Sequence, residues 1–255
     1  MRSLLSLFAC VSLLAPLPTL AVALNDTGIG FCGDETTNTA NCTTVFVDTG
    51  THPGQDARYG RDAAAVAGKL PQVGGGEAGF DFTALDASGQ PTSPSSGSAP
   101  HPCVRDNVTG LVWEVKTADS SNPGLRDQKW TYTWYDSVHN YGGNAGTASG
   151  TTNCKTPGRC DTEKYAADVN ASALCTYTDW RMPTDDELQS IVHYGRTNPS
   201  IDPTYFPNTP GSNFWSGSPY AGSSYYAWYV NFYYGYVYYG YRYYDYQVRL
   251  VRAGQ

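Results

Sequence analysis

The chain has 255 residues, of which 23 are acidic and 16 basic, for a net charge of −7. No Lys/Arg cluster offsets that balance, and a protein that tracks nucleic-acid phosphates needs one, so nucleic acid is disfavoured as a partner. The length suffices for one large domain, or for one domain with an extension.

Residues 1–23 read as a secretory signal peptide. They carry one basic residue, Arg2, then an apolar run and a small-x-small end at Ala21-Val22-Ala23, with cleavage expected after Ala23. Pro16 and Pro18 interrupt the run and argue against a membrane anchor, and the apolar stretch before Cys10 is too short for a lipoprotein box. No later stretch approaches the roughly 20 apolar residues of a spanning helix. The expectation is an exported chain, periplasmic, secreted or cell-surface, without a transmembrane segment once mature. Loss of Arg2 with the signal leaves 15 basic against 23 acidic side chains.

Export also accounts for the cysteines. Cys10 leaves with the signal, and Cys32, Cys42, Cys103, Cys154, Cys160 and Cys175 remain. An even number in an exported chain points to three disulfides and a monomeric, cross-linked domain. The short loops favour Cys32 with Cys42 and Cys154 with Cys160, leaving Cys103 for Cys175. Zinc is the rival use of cysteine, but there is no CxxC pair and His52, His101, His139 and His193 are scattered. No metal or cofactor is expected.

Residues 24–102 are rich in Gly, Thr, Ser, Asp and Pro and read as an N-terminal extension and linker. One helix is predicted around Asp62 to Leu70, a turn at Gly74-Gly75-Gly76, and an exposed linker over Pro91 to Pro102. Residues 103–255 form the organised domain. Leu111-Val112-Trp113-Glu114-Val115 is a short apolar strand after a turn-rich stretch, and Trp130, Tyr132 and Trp134 alternate with Lys129, Thr131 and Thr133 at strand spacing. A helix is predicted from Thr162, with Tyr165, Ala166 and Val169 on one face. A second is announced by the capping box Thr184-Asp185-Asp186-Glu187, with Leu188, Ile191 and Val192 as its apolar stripe and Gly195 as its stop. The acids of that first turn complement the helix dipole rather than forming a catalytic or metal site, and His193 reads as a helix-end residue. Strands are predicted at Phe214-Trp215-Ser216, Tyr226 to Phe232 and Val248 to Arg252. Two helices and an antiparallel sheet make an α+β domain.

The most distinctive stretch runs from Tyr225 to Tyr246, YYAWYVNFYYGYVYYGYRYYDY. Of the chain's 21 tyrosines, 13 lie between Tyr220 and Tyr246. Tyrosine offers a stiff, amphipathic contact surface at low entropic cost, and with Ser, Gly, Asn and Asp it is the composition of recognition loops. Trp228, Val230 and Phe232 recur at spacing two and are expected to face the core, with Tyr229, Asn231 and Tyr233 facing outward. The competing readings are ordinary strand packing and an aggregation-prone segment. Gly235, Gly240, Arg242 and Asp245 break the run and disfavour the latter.

Asp106-Asn107-Val108-Thr109-Gly110-Leu111-Val112-Trp113-Glu114, Thr178-Asp179-Trp180-Arg181-Met182-Pro183-Thr184, Glu187-Leu188, Phe214-Trp215-Ser216 and Val248-Arg249-Leu250-Val251-Arg252 follow one another in an order that resembles the Lcl C-terminal domain family of exported bacterial proteins. The resemblance covers roughly Cys103 to Arg252. It implies a C-type-lectin-like fold of the formylglycine-generating-enzyme branch, with the Asp179–Pro183 turn and the Leu250 strand as scaffold.

The Tyr-rich stretch suggests something narrower. In related proteins this segment is often rich in Asn, and mutating the adenines of Asn codons yields Tyr, Asp, Ser, His or Gly. Residues 223–246 are filled largely from that set, which resembles the variable region of proteins targeted by diversity-generating retroelements. The ligand-binding residues expected on this reading are Ser223, Ser224, Tyr225, Tyr226, Tyr229, Asn231, Tyr233, Tyr234, Tyr236, Tyr238, Tyr239, Tyr241, Arg242, Tyr243, Tyr244, Asp245 and Tyr246.

Kinship with formylglycine-generating enzymes raises an oxidase alternative, but those use reactive cysteines late in the domain and none follows Cys175 here. A calcium-dependent sugar lectin would show Glu-Pro-Asn, Gln-Pro-Asp or Trp-Asn-Asp near its final strands, and these are absent from the sequence there. The sequence therefore favours a non-enzymatic, exported binder of a protein or cell-surface ligand, with a fixed-specificity adhesin or surface structural module as the alternative.

Overall fold

The computed structural model describes residues 24–33, 37–39, 54–139, 143–150 and 152–254. The expected signal peptide, residues 1–23, and Cys42 lie outside the described residues.

The Asp106-Asn107-Val108-Thr109-Gly110 stretch turns the chain for a local reason. The Asp106 carboxylate accepts hydrogen bonds from the Val108 and Thr109 amides, at 2.9 and 3.3 Å, and from the Thr109 hydroxyl at 2.7 Å. That is the backbone-mimicking turn that Asp favours. Gly110 closes it at φ +75°, a left-handed conformation that glycine adopts without strain. The flanking strands β4 (Cys103–Asp106) and β5 (Leu111–Glu114) consequently pair as an antiparallel hairpin.

Two further strands complete this sheet. β3 (Phe82–Leu85) pairs with β4 and β9 (Val251–Ala253) with β5, giving the antiparallel order β3-β4-β5-β9. A second antiparallel sheet, β6-β7-β8, is built from Asn213–Pro219, Tyr226–Asn231 and Val237–Tyr241. A minor pair joins β1 (Cys32–Gly33) to β2 (Asn38–Thr39). The strand at Phe82–Leu85 lies within the stretch whose composition reads as extension and linker. It places Phe80, Phe82 and Ala84 in the main core beside Trp113, Leu188, Phe206, Phe214, Val230 and Phe232.

The helix expected from Thr162 is α3 (Thr162–Ala171), capped by the Asp161 carboxylate on the Lys164 amide, with Tyr165 and Val169 buried. The capping box forms as read: the Glu187 amide donates to the Thr184 hydroxyl at 3.1 Å and the Thr184 amide to Glu187 Oε2 at 2.8 Å. Its helix α4 is only Asp185–Gln189, so Gly195 does not stop it. The Ser190 hydroxyl captures the Glu187 carbonyl at 2.7 Å, the chain turns off, and Ile191 and Val192 enter the core from beyond the helix. The expected Asp62–Leu70 helix is a broken pair, α1 (Asp56–Tyr59) and α2 (Arg61–Val66), hinged at Gly60.

Two expected strands are reduced to isolated contacts. Around Trp130 to Trp134 the chain makes single bridges, Tyr132 to Tyr246 and Thr133 to Asp161, and Thr133 is as buried as its aromatic neighbours. In Val248 to Arg252 only the last two residues are strand; Val248 and Leu250 pack in a second core with Tyr165, Val169 and Trp180. The disulfides Cys103–Cys175 and Cys154–Cys160 form as expected, the first tying β4 to the turn after α3. Cys32 is disulfide-bonded, while the partner expected for it lies outside the described residues.

A buried charged group lies between the cores. Glu114 Oε1 accepts from Lys116 Nζ at 2.9 Å and from the Tyr165 hydroxyl, and Oε2 accepts from the Leu250 amide at 2.9 Å. Arg249 is fully buried, donates to the Thr209 hydroxyl at 2.6 Å and stacks its guanidinium over Phe206 and Phe214. Burial holds the Lys116 ammonium down to about 8, against the pull of Glu114 and helped by the Arg249 and Arg126 charges. The unfolded chain therefore binds more protons between that value and the ordinary lysine range, so stability rises with pH in this window. Chemical denaturation from pH 8 to 10 is expected to show a gain on the order of 2 kcal/mol, absent in Lys116→Met. An equal gain in that variant would assign the effect elsewhere.

Candidate ligand-binding surface

The Tyr-rich run forms β7 and β8 with their turns. Cross-strand registers place Tyr226, Trp228 and Val230 opposite Tyr241, Tyr239 and Val237 on one face, and Ala227 and Tyr229 opposite Gly240 and Tyr238 on the other. The alternation read from sequence is right in period. Its assignment of one wet and one dry face is not. Val230 and the following Phe232 dive into the main core together with Phe214, with Val237 packed against it, whereas Trp228, on the same face, is half-buried against Tyr220 and Tyr239.

Tyr229 corrects the expectation most sharply. It is 7% exposed and sits edge-on to Trp215 and Tyr246 in a third core with Trp134 and Ala227. The segment containing Tyr132 and Trp134 passes over this face and covers it: Trp215 Nε1 donates to the Tyr132 carbonyl and Trp134 Nε1 to the Ser216 carbonyl, both at 2.9 Å.

Arg242 is likewise buried, not displayed. Its guanidinium lies 4.2 Å from the Trp134 ring, donates through Nε to the Tyr226 carbonyl at 3.1 Å, and bonds the Asn144 carbonyl. Asn231 serves its turn: its side-chain oxygen accepts from the Tyr233 and Tyr234 amides at 3.0 Å each, and its amide donates to Asn213 at 2.7 Å. Gly235 follows at φ +83° with its α-carbon against Val192, where a Cβ would approach to 2.7 Å.

What remains outside is still extensive. Tyr225, Tyr233, Tyr234, Tyr236, Tyr238, Tyr243 and Tyr244 are exposed, and Tyr226, Tyr239, Tyr241 and Tyr246 are half-buried among them. Asp245 is exposed, and Ser223 and Ser224 are partly so in the β6–β7 turn. The rings support one another. Tyr220 stacks on Tyr239 at 4.1 Å and Tyr239 on Tyr238 at 4.6 Å, while Tyr226 meets Tyr241 at 4.4 Å and Tyr241 meets Tyr243 at 5.1 Å. Hydroxyl-to-hydroxyl bonds, Tyr226 with Tyr241 and Tyr238 with Tyr239, push the Tyr226 and Tyr238 phenols up. Tyr226 and Tyr238 thus stay neutral phenols at neutral pH, within a set of mutually braced rings.

Other candidates from the sequence are accounted for by structure. Asp179 grips Arg252 through Nε at 2.7 Å, and Glu187 makes a two-pronged pair with Arg181, both bonds 2.7 Å. His193 is buried 5.5 Å from the Phe80 ring, with Nε2 3.2 Å from Glu77, and burial holds its imidazole below the ordinary range. A cleft of about 480 Å³ beside Trp134, Trp180 and Met182 contains none of the displayed tyrosines.

Two small antiparallel sheets, few helices, long loops and disulfide staples define an α+β protein of C-type-lectin-like fold. The model of the Lcl C-terminal domain matches residues 102–252, and the chain belongs to that family. Comparison with curated proteins and with solved structures finds no match. The disulfides and the family fit an extracellular protein, and among the described residues no helix is long and apolar enough to cross a membrane.

Proposed function

We propose that this is an exported, non-enzymatic recognition protein whose Tyr-rich face is a variable ligand-binding surface of the diversity-generating-retroelement type. The observation that carries the reading is the separation of roles within one short run. Seven tyrosines are exposed on a braced ring surface, while Tyr229, Val230, Phe232, Gly235 and Arg242 hold it from beneath. Such an arrangement lets the outer side chains change without unfolding the frame. Exposed, pre-ordered tyrosines supply contact area at small entropic cost, as in antibody loops. The binder reading is further supported by Cys103, Cys154, Cys160 and Cys175, which are tied in disulfides and not offered as thiolates. The ligand class is a protein or a cell surface, met by a monomer.

Deep sequencing of the 3′ end of the gene across a population tests this. Adenine-directed substitutions are expected at Ser223, Ser224, Tyr225, Tyr234, Tyr238, Tyr243 and Asp245, beside a near-copy of the segment and a reverse transcriptase gene. Gly235 and Arg242 are expected to stay fixed. An invariant 3′ end without such a copy would sink the retroelement reading and leave a fixed-specificity adhesin.

A further inference from the structure

The segment before the family domain brings three carboxylates together. Asp26, Asp56 and Asp62 each direct one oxygen to within 4.8 Å of the others. Asp26 and Asp62 are 8% and 1% exposed. Among the described residues, the hydrogen bonds they accept come from neutral donors. Asp26 takes the Gly28 and Asp62 amides at 2.8 and 3.0 Å, Asp62 Oδ1 the Ala63 amide at 2.8 Å, and Asp56 the Thr27 hydroxyl. Asp62 Oδ2 is buried and has no hydrogen-bond partner among the described residues. A buried polar atom left unsatisfied requires an explanation, and an ion is one of the few that also answers three converging negative charges.

We propose that Asp26, Asp56 and Asp62 form a calcium-binding site that fastens the N-terminal segment and its helix pair onto the domain. The ligands are all hard carboxylate oxygens, the set that suits Ca²⁺ and not the softer metals. Two oxygens on opposite sides of one Ca²⁺ stand about 4.8 Å apart, so the trio lies within reach of a single ion. Gly60 makes the approach possible. A Cβ there would come within 2.7 Å of Asp62 Oδ1 and 2.8 Å of Asp56 Oδ1, so the glycine leaves room for both carboxylates to face each other where they stand. Gly79 does the same for Asp26, whose Oδ2 would lie 2.2 Å from a Cβ at that position.

The site has a mechanical consequence. The strap carrying Asp26 is pinned to the domain on both sides, by Asn25 Nδ2 donating to Asp106 Oδ2 at 2.8 Å and the Tyr194 amide donating to the Thr27 carbonyl at 2.7 Å. Asp56 and Asp62 belong to α1 and α2, whose Arg61 reaches the Gly79 carbonyl at 3.1 Å. An ion shared by the three ties helices to strap, and so to β4 and the core. The site lies outside residues 102–252 and concerns this chain's own extension.

The test uses the full mature chain, stripped with EDTA and dialysed. Calorimetric titration with CaCl₂ is expected to show one Ca²⁺ per chain, with Kd on the order of 10⁻⁴–10⁻³ M as in extracellular modules. Melting temperature is expected to rise with CaCl₂, and to rise less with MgCl₂ at equal concentration. Asp62→Asn and Asp56→Asn should each weaken calcium binding tenfold or more, with Asp186→Asn on the exposed turn of α4 as the unaffected control. Asp56 lies nearer solvent, so its variant keeps the test decisive if Asp62→Asn does not fold. Wild-type protein indifferent to calcium, or Asp56→Asn binding it as wild type does, would overturn the proposal. So would Asp62→Asn melting above the wild type in EDTA with calcium without effect on either, since a shared proton would then hold the carboxyls together.

Discussion

Replacing Glu114 by Ala is expected to cost about 3–5 kcal/mol of stability, because it strands a buried cation. Three donors converge on that carboxylate: the Lys116 ammonium, the Tyr165 hydroxyl and the Leu250 amide. Glu114 and Arg249 are 0% exposed and Lys116 2%, so water cannot replace the lost acceptor without opening the core. Arg249 feels the same carboxylate, which counters the burial that lowers its guanidinium to about 10. The double variant Glu114→Ala, Lys116→Met should recover part of the loss, since it removes the stranded ammonium together with its partner. Urea unfolding with both variants measures this. A loss below about 1 kcal/mol in the single variant, or no recovery in the double, would mean the group is hydrated and not a buried network.

This network also shows where sequence reading stopped. Leu111 to Val115 was legible as a strand and Val248 to Arg252 as a patterned one, because alternating apolar residues report a pleated surface. What periodicity cannot report is that both faces are covered. Arg249 occupies the position that alternation assigns to solvent, yet Phe206, Phe214 and the Thr209 turn close over it. The clue lay in composition: Glu114 and Arg249 are charges placed inside the strongest motifs of the chain, with Lys116 two residues beyond the first.

Capping and turn chemistry carried further, because it is local. Thr184 with Glu187, Asp161 before α3 and Asp106 before Gly110 all act where they were read or where short-range hydrogen bonding demands. Cysteine spacing was enough for Cys154–Cys160 and, by remainder, for Cys103–Cys175. The extension was less legible. Phe82 and Ala84 sit in a Gly- and Pro-rich background that reads as linker, and only pairing with β4, a contact across many residues, makes them strand. The carboxylate trio was invisible for the same reason, since Asp26 meets Asp56 and Asp62 through folding and not through spacing.

Tyr229 separates frame from display most sharply within the run. Tyr229→Ala is expected to destabilise the domain by about 3 kcal/mol, the loss typical of a buried aromatic that leaves a cavity. The cavity would open beside Trp215, Trp134 and Tyr246, rings that the overlying Tyr132–Trp134 segment holds in place and prevents from collapsing inward. A variant with Tyr225, Tyr234, Tyr238 and Tyr243 all changed to Ser should behave in the opposite way. Those side chains are 67%, 64%, 50% and 56% exposed, and surface replacements shift stability by only about 0.5 kcal/mol each. A hot-spot tyrosine, in contrast, carries about 2 kcal/mol or more of binding energy. Once a ligand is in hand, for instance a surface protein recovered by cross-linking on intact cells, the quadruple variant should lose nearly all affinity and melt close to the wild type. Trp228→Ala belongs with the surface set: its ring rests half-buried on Tyr220 and Tyr239 rather than in the core occupied by Val230 and Phe232. Calorimetric melting and equilibrium binding of these three variants decide the matter. Should the quadruple variant unfold while Tyr229→Ala stays stable, the exposed rings are the frame and the Tyr-rich face is not a display surface.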